Sequence, residues 1–347
     1  MSSVSVVIPC YNYGHFLRDS VASALDQPGV DVRVLIIDDA SKDDSAEVAR
    51  EIAAGDSRVE VAVHPVNQGN LRTYNEGILE WADGDYTVNL SADDRLTPGA
   101  LRRAADLLDA HPKVAFAYGH PLHFVHGKPL PPPRVSPRGW SVWEGPWWIE
   151  RQFRLAHSCI TSPEVVVRTA VQKQAGGYDL RLPHAGDVEM WMRLAVRGQV
   201  GYVRGVDQAF YRVHEHNMTK ARTVLVDLQQ RRAAYEAFLE GSGDQLASAD
   251  ADRLGDLVHR RLAWEAVWTA SRAYDRRRLD QTPVAGLVDF AFDCWPAAGR
   301  LPAYHGLRVR QQIGGTVMPY LQPLIVSAVM HRLRNELWWR SWKLRGI

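Results

Sequence analysis

The chain has 347 residues, of which 46% are hydrophobic and 23% charged, and a formal net charge of +1 at pH 7. This size accommodates roughly two domains with a buried core, and the composition is ordinary for a soluble globular protein. The near-balanced charge excludes general attraction to nucleic acid, and the three scattered cysteines, Cys10, Cys159 and Cys294, supply neither a disulfide framework nor metal-ligand spacing, as expected in a reducing compartment.

The first 118 residues alternate strand and helix signals, the pattern of βαβ units. Val4 to Ile8 is an apolar, β-branched run, and Leu17, Val21, Ala24 and Leu25 then recur at helical spacing. Val34 to Ile37 is a second buried strand, followed by a helix through Val48 and Ile52 that Ser41 or Asp43 can cap. Arg58 to Val63 alternates as a third strand, and Leu71, Tyr74, Ile78 and Trp81 share a helical face. Tyr86 to Leu90 is the fourth strand, Thr97-Pro98 a helix start, and Val114 to Tyr118 a fifth strand. From Gly119 to Trp148 the prolines and tryptophans predict a long loop, either a functional lid or one packed by its aromatics. A helix follows near Asp187 to Leu194, then a short strand from Val200 to Arg204. Beyond residue 222 only amphipathic helices are evident, Leu225 to Leu239 and Leu254 to Tyr274, separated by Gly241-Ser242-Gly243. The expected organisation is an α/β domain over 1–222, with halves at about 1–118 and 119–222, and a helical region over 223–347.

Continuous apolar strands belong to parallel sheets, and such sheets bind ligands beyond the carboxyl ends of their strands. Asp38-Asp39 and Asp93-Asp94 both fall there. The first pair suits either helix capping or acceptance of hydrogen bonds from a base or ribose. The second pair repels itself unless a cation or hydrogen-bond donors compensate, and Mg²⁺ or Mn²⁺ sits well on a few carboxylates completed by phosphate oxygens. Asn67-Gln68-Gly69 and Asn75-Glu76-Gly77 allow close backbone approach to a ligand. Asp187 opens a helix after a glycine-punctuated loop, as an N-terminal acid or as a general base. His214, after a strand, is either structural or a ligand to a metal or diphosphate.

These motifs, in this order, resemble a bacterial family 2 glycosyltransferase of the GT-A fold over about residues 3 to 220. Val6-Val7-Ile8-Pro9-Cys10-Tyr11-Asn12 is similar to the family's opening strand and loop, and Ile36-Ile37-Asp38-Asp39-Ala40-Ser41 to its second strand, whose acid contacts the nucleotide base. Asn67 to Gly77 is similar to an Asn/Gly helix motif, with Thr73 where a small residue is usual. Ser91-Ala92-Asp93-Asp94 is similar to the metal and diphosphate motif, Gly186-Asp187 with Trp191 and Arg193 to the region of the catalytic base, and Tyr211-Arg212-Val213-His214 to an element near the diphosphate. Ser91 stands where many members carry a first acid, and Gly186 where an acid often precedes the base.

The resemblance implies an inverting transfer of a sugar from a nucleotide-sugar to an acceptor hydroxyl. Asp187 would be the base. Pro9, Tyr11, Asn12, Asp38, Asp39, Asn67, Gly69, Asn75 and Asp93 would bind the donor nucleotide, and Asp93, Asp94 and His214 would hold Mn²⁺ or Mg²⁺. The acceptor would be a glycan, a lipid-linked sugar or a small molecule, and oligomeric state is left open. A dinucleotide oxidoreductase would need G-x-G-x-x-G where Pro9 to Gly14 stands. A glycosidase would need separated carboxylates. A non-catalytic sugar-nucleotide-binding scaffold is the remaining alternative.

No signal sequence opens the chain, and no run reaches the ~18 apolar residues of a spanning helix; Val317 to Met330 is interrupted by Pro319, Gln322 and Pro323. The expectation is a cytoplasmic chain, with peripheral membrane contact through 331–347. There Arg332, Arg334, Arg340, Lys343 and Arg345 interleave with Leu333, Leu337, Trp338, Trp339 and Trp342, a pattern that suits either an anionic surface or a docked terminal helix.

Overall fold

The computed structural model describes residues 1–215, 217, 223–241, 248–321 and 326–347, with side chains for all of these except 248 and 326–335. The boundary drawn at 222, the Ser242-Gly243 linker, and the side chains of Arg332, Leu333 and Arg334 lie outside the described residues. The chain divides into two compact units. One holds Met1–Ile149, Cys159–Lys220 and Lys343–Gly346; the other holds Glu150–Ser158, Ala221–Trp342 and Ile347.

The first unit begins with the alternation read from the sequence: β1 (Ser3–Cys10), α1 (Gly14–Leu25), β2 (Asp31–Asp38), α2 (Ser45–Gly55), β3 (Val59–Val63), α3 (Asn70–Glu76), a π-helical turn over Gly77–Trp81, and β4 (Tyr86–Asn89). Then follow β5 (Arg95–Leu96), α4 (Ala100–Ala110), β6 (Val114–Val125), β7 (Trp140–Trp143), α5 (Gly145–Leu155), β8 (Val166–Arg168), α6 (Thr169–Ala175), α7 (Gly186–Ala195) and β9 (Gln199–Val213). The sheet runs β3-β2-β1-β4-β8-β6-β9-β5, with β7 added on β9. β1 pairs in parallel with both β2 and β4, so the order reverses at β1 and opens a crevice at the strands' carboxyl ends. Val6, Ile8, Val34 and Ile36 are fully buried in one core with Leu17 and Val21 of α1 and Leu101, Ala104 and Leu108 of α4. Gly77 lies where any Cβ would run into Val7, so glycine is what lets the turn after α3 close on β1.

Four local expectations change. The 119–148 segment is not one loop: β6 continues through Val125, and β7 and α5 start at Trp140 and Gly145. The short strand at Val200 is the fifteen-residue β9, whose far half pairs with β5 and β6. Thr97 does not cap α4; its hydroxyl donates to the Asp207 carbonyl, and Gly99, at φ +71°, precedes the helix. Asp43, not Ser41, serves α2, accepting from Ser45 N at 3.1 Å.

The second unit is helical among its described residues: α8 (Val224–Gly241), α9 (Ser248–Asp275), α10 (Val284–Cys294), α11 (Pro302–Ile313), α12 (Met318–Leu321) and most of α13 (Val326–Arg345). Phe153, from the end of α5, packs edge-on against Tyr235 at 4.8 Å between ring centroids. The buried Arg310 is neutralised by Asp275 at 2.8 Å. No helix among the described residues is long and apolar enough to cross a membrane.

Candidate active site

At the crevice, Cys10 and Asp38 end β1 and β2 in register. The two following turns are laced together by Asn12, whose N–H donates to Ser41 Oγ at 2.9 Å and whose Oδ1 accepts from Lys42 N at 2.8 Å. Asn12 has φ +59°, a left-handed position that asparagine tolerates. Tyr11, beside it, is 40% exposed.

The Asp38-Asp39 pair splits its work. Asp39 faces inward: Oδ1 accepts from Gln68 N and Oδ2 from Gly69 N, each at 2.8 Å, and His64 Nδ1 lies 2.8 Å from Oδ1. Asn67 Nδ2 adds a bond to the Asp39 carbonyl, and the other ring nitrogen of His64 meets Glu76 at 2.8 Å. Burial works to raise the Asp39 pKa, but these hydrogen bonds outweigh it and hold the carboxyl below its usual value. Asp39, Asn67 and Gly69 therefore shape the turn into α3. Asp38 Oδ2 accepts from Ser41 N, while its Oδ1 is buried with no hydrogen-bond partner among the described residues.

Asp93 and Asp94 follow β4 and meet the end of β9. His214 Nε2 stands 2.9 Å from Asp93 Oδ2, and Asp94 Oδ1 accepts from Arg212 N at 2.8 Å. Arg212 Nε donates to the Asp93 carbonyl at 2.6 Å, and its guanidinium lies 4.4 Å from the ring centre of Phe16 and 4.7 Å from that of Phe124. Burial, then the charge of Asp93, drives the Asp94 carboxyl well above the usual range. Burial and both carboxylates also push the Tyr13 hydroxyl up to about 12. Among the described residues no three His, Cys, Asp or Glu side chains are grouped to hold a metal ion by themselves. The two acids nevertheless fit a divalent cation of the kind held by one or two carboxylates and completed by phosphate oxygens, since such an ion would relieve a buried like-charge pair.

Asp187 opens α7, half-buried, and accepts a hydrogen bond from Ser162 Oγ at 3.1 Å. Asn75, at the end of α3, bonds both backbone groups of Tyr178 in the loop before α7. Burial, then the charge of Asp187, raises the Tyr178 hydroxyl. Glu164 is buried: burial, then Asp187, pushes its carboxyl up to about 8, and its charge in turn adds to the shift on Asp94. Tyr74, bonded to Ser91 Oγ at 3.2 Å, is raised by burial and by Asp187, Asp93 and Asp94. The two ends of the site thus act on the same side chains.

Sequence reasoning passed over Ser162, Glu164 and His64. A signal existed for one of them: Thr161-Ser162-Pro163-Glu164 is a capping box, in which the Thr161 N–H donates to Glu164 Oε1 at 2.6 Å. His64 and Ser162 carry no such local mark.

Residues 5–165 match the family model described as glycosyl transferase family 2. A Rickettsia typhi protein named as an uncharacterized glycosyltransferase is 24% identical over 68% of this chain and 71% of its own length. A Haemophilus influenzae protein of the same description is 33% identical over 31% of this chain, which spans only 43% of that relative. Hyaluronan synthase of Pasteurella multocida is 24% identical over 58% of this chain and 20% of its own. Among solved structures, residues 1–349 of S. aureus TarS in complex with UDP-GlcNAc superpose with a TM-score of 0.62 at 16% identity, covering 93% of this chain and 92% of that fragment. The mannosyltransferase PcManGT of Pyrobaculum calidifontis, in complex with GDP-Man and Mn2+, gives 0.53 at 15% identity, over 95% and 86% of the two chains. The likeness bears out the expected fold, a GT-A α/β unit with a helical C-terminal region.

Proposed function

We propose that this chain, whose residues 5–165 match the family model of glycosyl transferase family 2, is a glycosyltransferase that takes a nucleotide-sugar as donor and passes the sugar to an acceptor hydroxyl with inversion at the anomeric carbon. The observation that carries this reading is at Tyr74, which bonds Ser91 Oγ at 3.2 Å just before Asp93 and Asp94 and is acted on by the charges of Asp187, Asp93 and Asp94 together. A group that handles phosphate charge and a group that takes a proton are then within one substrate's reach.

The nucleoside would lie over the ends of β1 and β2, against Pro9 and the exposed Tyr11. Asp38 Oδ1, the buried acceptor without a protein donor, would accept from the base or ribose. Asp39, Asn12, Asn67, Gly69 and Asn75 would serve the donor indirectly, by holding the turns on which it rests. The diphosphate would face Asp93 and Asp94, whose carboxylates would hold Mn²⁺ or Mg²⁺, with His214 fixing Asp93. When bound, that ion supplies Lewis-acid stabilisation to the departing diphosphate. Arg212 keeps Asp93 and Asp94 in place through its backbone and guanidinium.

Asp187 would accept the proton of the acceptor hydroxyl while that oxygen forms its bond to the anomeric carbon and the bond from that carbon to the diphosphate oxygen breaks. Attack opposite the leaving group inverts the centre. The Ser162 hydroxyl orients the carboxylate for this role. The acceptor classes are a glycan, a lipid-linked sugar or a small molecule. The exposed Leu337, Trp339 and Leu344, interleaved with Arg340, Lys343 and Arg345, suit approach to an anionic lipid surface.

A thermal-shift series of nucleotides and nucleotide-sugars, with and without Mn²⁺, tests the donor site. One nucleotide should stabilise wild type in a metal-dependent way, and Asp94→Asn should lose that dependence. A shift with no turnover toward any acceptor would favour a non-catalytic scaffold; no shift at all would remove the donor reading.

A further inference from the structure

The first unit carries a basic pocket that the transfer reaction does not use. It has a volume of about 550 Å³ and is lined by Arg134, Arg138, Arg204 and Lys343, together with Gly205 and Leu344. Arg204 lies in the middle of β9, whereas Arg212 stands at its diphosphate end.

The pocket is built by a reciprocal crossing of two arginines over two glycines. Arg138 N donates to the Arg204 carbonyl at 2.8 Å, and Arg204 N donates to the Gly139 carbonyl at 3.0 Å. Gly205, at φ +79°, sits under the Arg138 side chain, where a Cβ would fall 2.8 Å from Cγ. Gly139, at φ +91°, sits under the Arg204 guanidinium, where a Cβ would fall 2.9 Å from Nη2. Only residues without a Cβ leave room for both side chains and accept both backbone conformations.

The charge in this pocket is unbalanced. Arg134 is neutralised by Asp207 at 2.6 Å. Arg138, Arg204 and Lys343 are exposed, and none has a carboxylate within ion-pair distance among the described residues. Three cations held around one cavity repel one another, and a multivalent anion with oxygens to share would relieve that repulsion. Guanidinium forks match phosphate oxygens in pairs. The cavity has the size of small-ligand sites and exceeds what a bare phosphate fills, so it leaves space for an ester carrier.

We propose that Arg138, Arg204 and Lys343 form a binding pocket for a phosphate ester, separate from the donor site. The phosphate would be carried by a lipid headgroup or by a soluble molecule.

The test uses the full chain as wild type, as Arg138→Gln/Arg204→Gln, and as Arg308→Gln, an exposed arginine on α11. One arm titrates inorganic phosphate against sodium chloride at matched ionic strength and follows thermal stability. The other sediments phosphatidylcholine vesicles with and without phosphatidylglycerol. Saturable phosphate stabilisation that weakens at least tenfold in the double variant alone supports the pocket with a soluble ligand. Phosphatidylglycerol-dependent sedimentation lost only in the double variant supports it with a lipid headgroup. Equal responses of wild type and double variant, or an equal loss in Arg308→Gln, would overturn the proposal. Nucleotide-induced stabilisation should persist in the double variant. Its joint loss would mean the phosphate effect belonged to the donor site and would sink the separate pocket, leaving the glycosyltransferase reading untouched.

Discussion

Asn75 clasps the backbone of Tyr178 from 103 residues away: its Oδ1 accepts from Tyr178 N at 2.6 Å, and its Nδ2 donates to the Tyr178 carbonyl at 2.9 Å. An amide bonded this way fixes the distance between α3, which follows the donor-side turns, and the loop that delivers Asp187. Gly177 makes the clasp possible, since a Cβ there would come within 2.5 Å of the Asn75 amide. Asn75→Ala would leave two backbone groups unpaired and cost about 1–3 kcal/mol of stability. The loss of kcat should exceed the loss of donor affinity, because the donor-side turns keep their own bonds through Asp39. Chemical denaturation and initial-rate kinetics read the two effects; a variant weakened only in nucleotide affinity would show that Asn75 serves the donor directly.

Asp187→Asn preserves the shape of the side chain and can still accept from Ser162, but it cannot take a proton at neutral pH. Transfer should fall by ~10²–10⁴ while nucleotide-sugar affinity holds, the signature of a lost general base. Ser162→Ala removes the hydrogen bond to Asp187 Oδ1 and should give a smaller loss of the same kind. Product formation under saturating donor distinguishes these outcomes. Wild-type rates in Asp187→Asn would reassign the base.

The legible part of this fold was its parallel half. β1, β4 and the second half of β2 are buried on both faces, so Val6 to Ile8 and Val34 to Ile37 read as apolar runs, and the acids that follow these strands stood out. β8 has three residues and β5 two, too few for any period to register. The second half of β6 alternates buried and exposed residues around His123 and Pro121, and it is held in the sheet by β9 rather than by its own propensity. At the site, residue type located Asp38-Asp39, but type alone does not say which carboxylate is consumed by the protein. That depended on Gln68 and Gly69 presenting their N–H groups to Asp39, a long-range fact. Glu164 was missed for a similar reason: its capping box is local, whereas its burial is a long-range fact.

Glu164 makes the stability of the first unit depend on pH in an unusual direction for an acid. Burial, reinforced by Asp187, lifts its carboxyl from 4.5 to about 8, against the hydrogen bonds from Thr161. The folded protein therefore keeps a proton that the unfolded chain releases as pH rises between those values, and unfolding becomes progressively easier across that window. The penalty should approach a few kcal/mol, because each tenfold change in proton affinity is worth about 1.4 kcal/mol. In Glu164→Gln the side chain is neutral at every pH and still accepts from Thr161, so its stability should decline much less from pH 5 to pH 8. Urea midpoints measured for both proteins across that range check this. Parallel curves would mean that Glu164 is ionised in the folded state, with a cation balancing its charge.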